Sequence, residues 1–353
     1  MKIYIAYNTI NEPYGGANQF LNNLKKEFEK RGVNASRPDD ADAIIFNSHN
    51  VGGKKGNGPA IITRLKYQFP KAIFIHRVDG PVSVYRNDSK YKFVDNVIYA
   101  LNSTIADGTV YQSEWSRQAN LDLGKRPTKF QKTILNAPDP AIFYPAATTK
   151  DFANRKIKII ASSFSSHPNK GFPVYEWLDK NLDFSRYEMT FVGNTPTEFD
   201  NIKHIAAVAP QQLAELLREH DIYLTASQKD PCSNALIEAL HCGLPAVALR
   251  DGGHPEIVGR SGELFSVKEE IPELLEHIAK NYNQYGSHNH LPEATDIALQ
   301  YQSLVAEIME AVLKREYQSK KLSWINYQLR HSYYYVSRFL RILRNKIFKK
   351  TID

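Results

Sequence analysis

The sequence predicts an α/β protein of two doubly wound domains joined by a linker, and three observations carry that expectation. The chain has 353 residues, too many for one ordinary core. Short apolar runs alternate with helical segments along most of its length, the pattern of parallel sheets covered by helices on both faces. The alternation breaks once, in the Pro-rich and polar stretch TILNAPDPAIFYPAATTKDFANRK, and then resumes.

In the first half KIYIAYN reads as a strand, followed by the glycine-containing loop NEPYGGAN. An amphipathic helix, QFLNNLKKEFEKRG, comes next and stops at Gly32. ADAIIFNS, KAIFIHRV and GTVYQSE are further buried strands, each apolar-rich and bounded by polar loops. The second set begins at IKIIASS and continues through YEMTFVG, DIYLTAS and PAVAL, with QQLAELLREH and a helix after Asp230 between strands. These units divide the chain into 1–150, 151–315 and a tail, 316–353. Ligands of such sheets bind beyond the carboxyl ends of the strands. The segments 8–18, 76–81, 162–171, 193–196 and 227–233 all follow predicted strands and are expected to converge on one cleft.

Composition narrows the function. The hydrophobic share of 42% is that of a globular protein with a sizeable core. No run of 18 apolar residues is present to span a bilayer as a helix, and MKIYIAYNTI lacks the length and cleavage site of a signal peptide. Two cysteines, Cys232 and Cys242, make no disulfide framework and suggest a reducing compartment. With His241 and His254 they lack zinc-ligand spacing, so no metal site is expected. Asp40 and Asp42 form a short DxD, but their place on the approach to a strand reads as a surface turn. The net charge of +7 is unevenly placed. Residues 314–353 hold eleven basic and two acidic residues, so the rest of the chain carries two more acids than bases. A nucleic-acid-binding body is therefore not expected.

The most informative stretch is KDPCSNALIEALHCGLPAVAL, residues 229–249. Asp230 falls just before a predicted helix and Glu238 about two turns inside it. Pro231 suits a first helical position behind an Asp cap, with Ser233 as a competing start. Gly243 and Pro245 stop the helix before a buried strand, Ala246–Leu249. Such a helix start offers unpaired N–H groups and a positive dipole end to a diphosphate. Two carboxylates, one at the mouth and one deeper, can accept hydrogen bonds from two sets of sugar hydroxyls.

With these segments in order, the chain resembles glycosyltransferase family 4, the group 1 glycosyltransferases. The second half carries the resemblance in IKIIASSFSSHPNKGF, YEMTFVGN, QQLAELLREHDIYLTAS, DPCSNALIEALHCGLPAVAL and DGGHPEIVGRSGELF. The first half adds its strand–GGAN–helix opening, IHRVDGP and ILNAPDPAIFYP. The resemblance implies the GT-B fold, two doubly wound Rossmann-like domains facing across a cleft. It implies a nucleotide diphosphate sugar as donor, retention of anomeric configuration, and no metal or other cofactor. Asp230 and Glu238 occupy the acid positions of the family's E-x7-E motif, with Asp230 near the donor sugar and Glu238 at the ribose. The amides of Cys232 and Ser233 then face the sugar, and those of Asn234 and Ala235 the phosphates. Lys170 matches the lysine that neutralises the departing diphosphate. Phe164 and Ser165 stand in the region where the family commonly has an arginine. Gly15 and Gly16 let the first-domain backbone approach phosphate or acceptor closely. His76 lies at a strand end where the family often has a histidine at the reacting sugar, and Arg77 and Asp79 share its loop.

The tail EYQSKKLSWINYQLRHSYYYVSRFLRILRNKIFKK interleaves basic residues with aromatic and aliphatic ones at helical spacing. It reads as a helix on an anionic membrane surface, or as one folded back onto the first domain. The expectation is a mixture, with the earlier part packed and the part beyond about Arg338 on lipid. The leading reading is a glycosyltransferase extending a bacterial surface glycan, such as lipopolysaccharide or capsule, on a lipid-linked acceptor at the inner face of the cytoplasmic membrane. A non-hydrolysing nucleotide-sugar epimerase, which shares the architecture, and a catalytically decayed membrane-docking partner are the alternatives.

Overall fold

The computed structural model describes residues 1–7, 16–47, 58–146, 152, 154–286, 290–334 and 336. Among these, two parallel sheets account for every named strand. The first comprises β1 (Ile3–Ala6), β2 (Ala43–Phe46), β3 (Ile73–Val78), β4 (Gly108–Tyr111) and β5 (Phe130–Thr133), side by side in that order. The second contains β6 (Ile157–Ser163), β7 (Tyr187–Gly193), β8 (Lys203–Ile205), β9 (Ile222–Thr225), β10 (Ala246–Leu249) and β11 (Gly262–Phe265). Its order is β11-β10-β9-β6-β7-β8, so the chain reverses its direction of travel between β6 and β9.

The first sheet reverses too. Ile3 pairs with Ala43 on one side and makes an isolated parallel bridge to Asn34 on the other. The chain leaves β1, passes through the helix Gly16–Lys30 to that bridge, and returns across β1 to β2. Both domains are thus doubly wound, as expected, and each opens a crevice at the carboxyl ends of its strands where the winding reverses.

Alternation along the strands sorts the cores. Ile3, Ile5, Ala43, Ile45, Ile73 and Ile75 face one side of the first sheet. Ala6, Ile44, Phe46 and Phe74 face the other. The helix Ala294–Leu313 lies on the first of these faces, although it follows the second domain in sequence. Ile297, Tyr301, Leu304 and Ile308 recur at the spacing of one helical face and are fully or almost fully buried. Ile297, Leu304 and Ile308 each contribute about 1.5–3 kcal/mol of burial. A boundary at 315 assigns this helix to the second domain, whereas its contacts are with the first domain's core.

The segment after that helix is fastened by one buried carboxylate. Asp107 Oδ1 accepts from Tyr317 Oη (3.1 Å), Ser319 Oγ (3.1 Å) and Lys320 N (2.8 Å). Its Oδ2 accepts from Phe74 N (2.9 Å) and Lys66 Nζ (3.1 Å). Residues 324–334 are helical, with Tyr327 stacked on Tyr67 at 4.4 Å and Tyr334 buried against the first domain. The expected packing of the earlier tail is therefore present, and the part beyond Arg338 lies outside the described residues. Three strands were not read from the sequence: β5 (FQKT), β8 (KHI) and β11 (GELF).

Candidate functional site

The cleft lies where the two reversals meet. The loop after β6 carries Lys170 at the end of the 3-10 turn Pro168–Lys170, and Gly171 follows at φ +80. A Cβ on Gly171 would stand 2.2 Å from the Ala226 carbonyl, so only glycine allows this loop to lie against the end of β9. The loop after β9 carries Asp230, and the helix Asn234–His241 follows. The two loops meet in an ion pair, with Lys170 Nζ 2.9 Å from Asp230 Oδ2. Burial opposes ionisation of Asp230, but the charge of Lys170 overcomes it and holds the carboxyl below its usual range.

The helix starts later than an Asp cap would have it. Ser233, the competing start, is the N-cap residue, and its hydroxyl does not close the first turn. Asp230 instead accepts from Cys232 N at 3.3 Å. The amides of the first turn, at the positive end of the helix, thus have no side-chain cap.

Two adjoining cavities fill the cleft. One, of about 270 Å³, is lined by Gly16, Arg77, Asp79, Lys170, Asp230, Cys232 and Asn234, among others. The second, of about 150 Å³, continues past Asn234 and Ala235 to Glu238, between Ser163, Phe164, Val192, Val208 and Leu213. The first is polar and charged. The second has apolar walls and one carboxyl, which burial pushes up to about 8. A charged chamber on a helix start beside an apolar slot with a single acid suits a diphosphate joined to a nucleoside.

The first domain closes the cleft through Gly16, where a Cβ would stand 1.8 Å from Asn234 Nδ2. Asn234 in turn accepts from Asn136 Nδ2 at 2.9 Å. Behind Asn136 is a buried polar set. Arg77 donates to Asp79 Oδ1 (2.8 Å), Gln112 Oε1 (2.7 Å) and Asn136 Oδ1 (2.9 Å), and Gln112 donates to Asp79 Oδ1 at 2.7 Å. The Phe20 ring lies 4.8 Å from the Arg77 guanidinium carbon. On the outer side Glu256 accepts from Glu114 N (2.9 Å) and Trp115 N (3.2 Å), joining the second domain to a first-domain helix start.

Of the residues singled out from the sequence, Gly16, Lys170, Asp230, Cys232, Asn234, Ala235 and Glu238 line these cavities. Ser233 is buried behind them and lines neither. Gly15 lies outside the described residues. His76 is the correction. It sits on the opposite face of β3 from Arg77, fully buried, stacked on Phe46 at 4.4 Å and 3.2 Å from Asn102 Oδ1. Burial drives its pKa down to about 3. A strand turns successive side chains to opposite faces, so the residue aimed at the cleft is Arg77 and the histidine belongs to the core.

The sequence reading missed Arg86, His167, Lys229, Gln112 and Asn136. Their signals are diffuse: they come from five separate loops that only the fold assembles. Asp40 and Asp42 lie before β2, where Asp42 accepts from Lys2 N at 2.7 Å, as a surface turn would. Among the described residues no group of three His, Cys, Asp or Glu is placed to hold a metal ion.

Residues 177–284 match the sequence model of the glycosyl transferases group 1. A probable sucrose-phosphate synthase of Thermosipho melanesiensis is 23% identical over 295 residues, 75% of this chain and 67% of that one. The solved sucrose-phosphate synthase of Thermosynechococcus elongatus superposes with a TM-score of 0.65 at 14% identity, covering 88% of this chain and 99% of the other. Anabaena HepE, solved in complex with UDP-glucose, gives 0.61 at 16% identity, over 89% and 100%. The architecture is the GT-B fold, and residues 177–284 are similar in sequence to the glycosyl transferases group 1.

Proposed function

We propose that this GT-B protein, whose second domain is similar in sequence to the group 1 glycosyltransferases, transfers a sugar from a nucleotide diphosphate donor to a glycan acceptor, by the retaining chemistry of family 4. One observation carries the reading. Lys170, Asp230, an uncapped helix start and Glu238 line one continuous cleft at the point where the second sheet reverses.

In this reading the nucleoside lies in the apolar slot and its ribose hydroxyls donate to Glu238. The diphosphate lies on the amides of Asn234 and Ala235. Asp230 faces the donor sugar and must share Lys170 with the phosphates. As the anomeric C–O bond breaks, its electron pair passes to the diphosphate, and Lys170 with the helix start stabilises the growing charge. The acceptor hydroxyl oxygen bonds the same carbon from the same face, and its proton leaves with the departing phosphate oxygen. The residues supply cationic stabilisation themselves, so the reaction is proposed to run without metal. The UDP-glucose bound by HepE is the reason to include uridine nucleotides among the first donors tried.

The acceptor is proposed to be lipid-linked, in surface polysaccharide assembly at the inner membrane face. Trp324, Ile325, Leu329 and Tyr333 are exposed on the helix 324–334, whose other face packs on the first domain. The basic tail follows, and such a face suits an anionic lipid surface. No helix among the described residues is long and apolar enough to cross a membrane.

Calorimetry of the purified protein with UDP, GDP, dTDP, CDP and ADP, in the presence of a chelator, tests the donor site. Clear binding of one supports the reading. Binding of none by folded protein contradicts it, and slow conversion of a nucleotide-sugar without acceptor would instead favour an epimerase.

A further inference from the structure

We propose that Arg86 of the first domain binds the donor's diphosphate together with Lys170 of the second, so that the donor's charge bridges the cleft. The proposal rests on the reading of the cleft as a nucleotide-sugar site, and adds to it a residue from the facing domain.

A diphosphate brings several negative charges into the chamber. The cations nearest its expected place are partly spent, Lys170 on Asp230 at 2.9 Å and Arg77 on Asp79 at 2.8 Å. Arg86 lines the same chamber, half-buried. Among the described residues no carboxylate forms an ion pair with it, and its guanidinium carbon lies 5.4 Å from the Tyr85 ring centre.

Its position is built from both domains. The turn Val82–Tyr85 is fixed at its start by Asp95, which accepts from Val82 N (2.6 Å) and Ser83 N (3.1 Å). Asn87, at φ +51, ends that turn. From across the cleft Asn169 donates to the Tyr85 carbonyl, and Lys229 Nζ donates to Asn87 Oδ1 at 3.2 Å. Arg86 is therefore held between two contacts with the loops that carry Lys170 and Asp230. Its field reaches the second domain: His167, three residues before Lys170, has its pKa lowered first by burial and then by the charges of Arg86 and Lys170.

This supplies a partner for the phosphate charge left unassigned by Phe164 and Ser165, which stand in the region of the family's usual arginine. A cation on the opposite domain also makes donor binding a cross-link between domains, which an arginine on the second domain would not.

The test is calorimetry of wild type, Arg86→Gln and Arg86→Lys with UDP, GDP, dTDP, CDP and ADP, each paired with its nucleoside. Losing one charge-assisted contact should weaken binding of the preferred diphosphate about tenfold or more. Nucleoside affinity should be unchanged in both variants, and Arg86→Lys should recover part of the loss. Equal diphosphate affinity in Arg86→Gln overturns the proposal, as does an equal loss for nucleoside and diphosphate, which would locate the effect at the base or in the fold. If wild type binds none of the five, the reading of the site itself falls and the proposal falls with it.

Discussion

The second-domain wall of the cleft presents Lys170, Asp230 and Glu238 on loops and a helix, in reach of a ligand. The first-domain wall holds Arg77, Gln112 and Asn136 in a buried, mutually hydrogen-bonded set, with Asp79 closing it. The difference lies in what each polar group is paired with. On one side charges meet across a cavity and can exchange partners for a phosphate. On the other the partners are within the protein, so the set fixes the shape of the wall, and Asn136 passes that shape to Asn234 at the helix start. That buried set keeps the binding residues of the facing wall in register, and Arg86, outside the set, is the first-domain cation left for the ligand.

Four substitutions separate the roles of the two walls. The largest effect is expected from Arg77→Ala, which removes the buried donor shared by Asp79, Gln112 and Asn136. Removing one partner of a buried charge pair costs about 3–5 kcal/mol, and urea unfolding should register it as a loss of stability as well as of activity. Lys170→Ala should spare the fold and lower turnover by about 10²–10³, the range for a lost transition-state donor. Single-turnover transfer measured alongside donor affinity separates the two.

Glu238→Gln should have a smaller effect with a diagnostic pH dependence. The wild-type carboxyl, pushed up to about 8 by burial, is mostly protonated at neutral pH. Accepting from ribose hydroxyls favours the ionised form, so nucleotide affinity should rise about tenfold between pH 6.5 and 8.5. In the variant that rise should vanish, leaving only the ionisation of the phosphate itself. His76→Gln should change donor affinity least of all. His76 titrates near 3 folded and near 6.5 unfolded, so the unfolded state holds the extra proton between these values. Stability is then lost as pH falls below about 6.5, by at most about 1.4 kcal/mol per pH unit. The variant should flatten that slope in denaturant titrations at pH 5 and 7.

The same contrast explains what the sequence made legible. Lys170, Asp230 and Glu238 stand at fixed distances from strand ends and a helix start, so local pattern located them. The strands flanking them are continuous apolar runs, which set both sheets. β5, β8 and β11 were hidden because they are short and mix polar residues into their few positions. Arg77 and His76 are neighbours on β3, and pattern alone did not say which faced the cleft; the packing of Phe46 and Phe74 on one face decided it. Asn136, Gln112 and Arg86 were invisible for another reason. Each takes its role from partners far away in sequence, as in the Asn136–Asn234 bond between residues 98 apart. The packing of 294–313 on the first domain was equally non-local, since an amphipathic helix does not announce which core it will cover.

Hydrogen exchange with and without the preferred nucleoside diphosphate reports whether the ligand sits in the cleft. Slowed exchange is expected at the amides of residues 232–238 and of the 168–171 loop, with a smaller change at Gly16 on the facing wall. Protection confined to other parts of the chain, or none at saturating nucleotide, would contradict that placement.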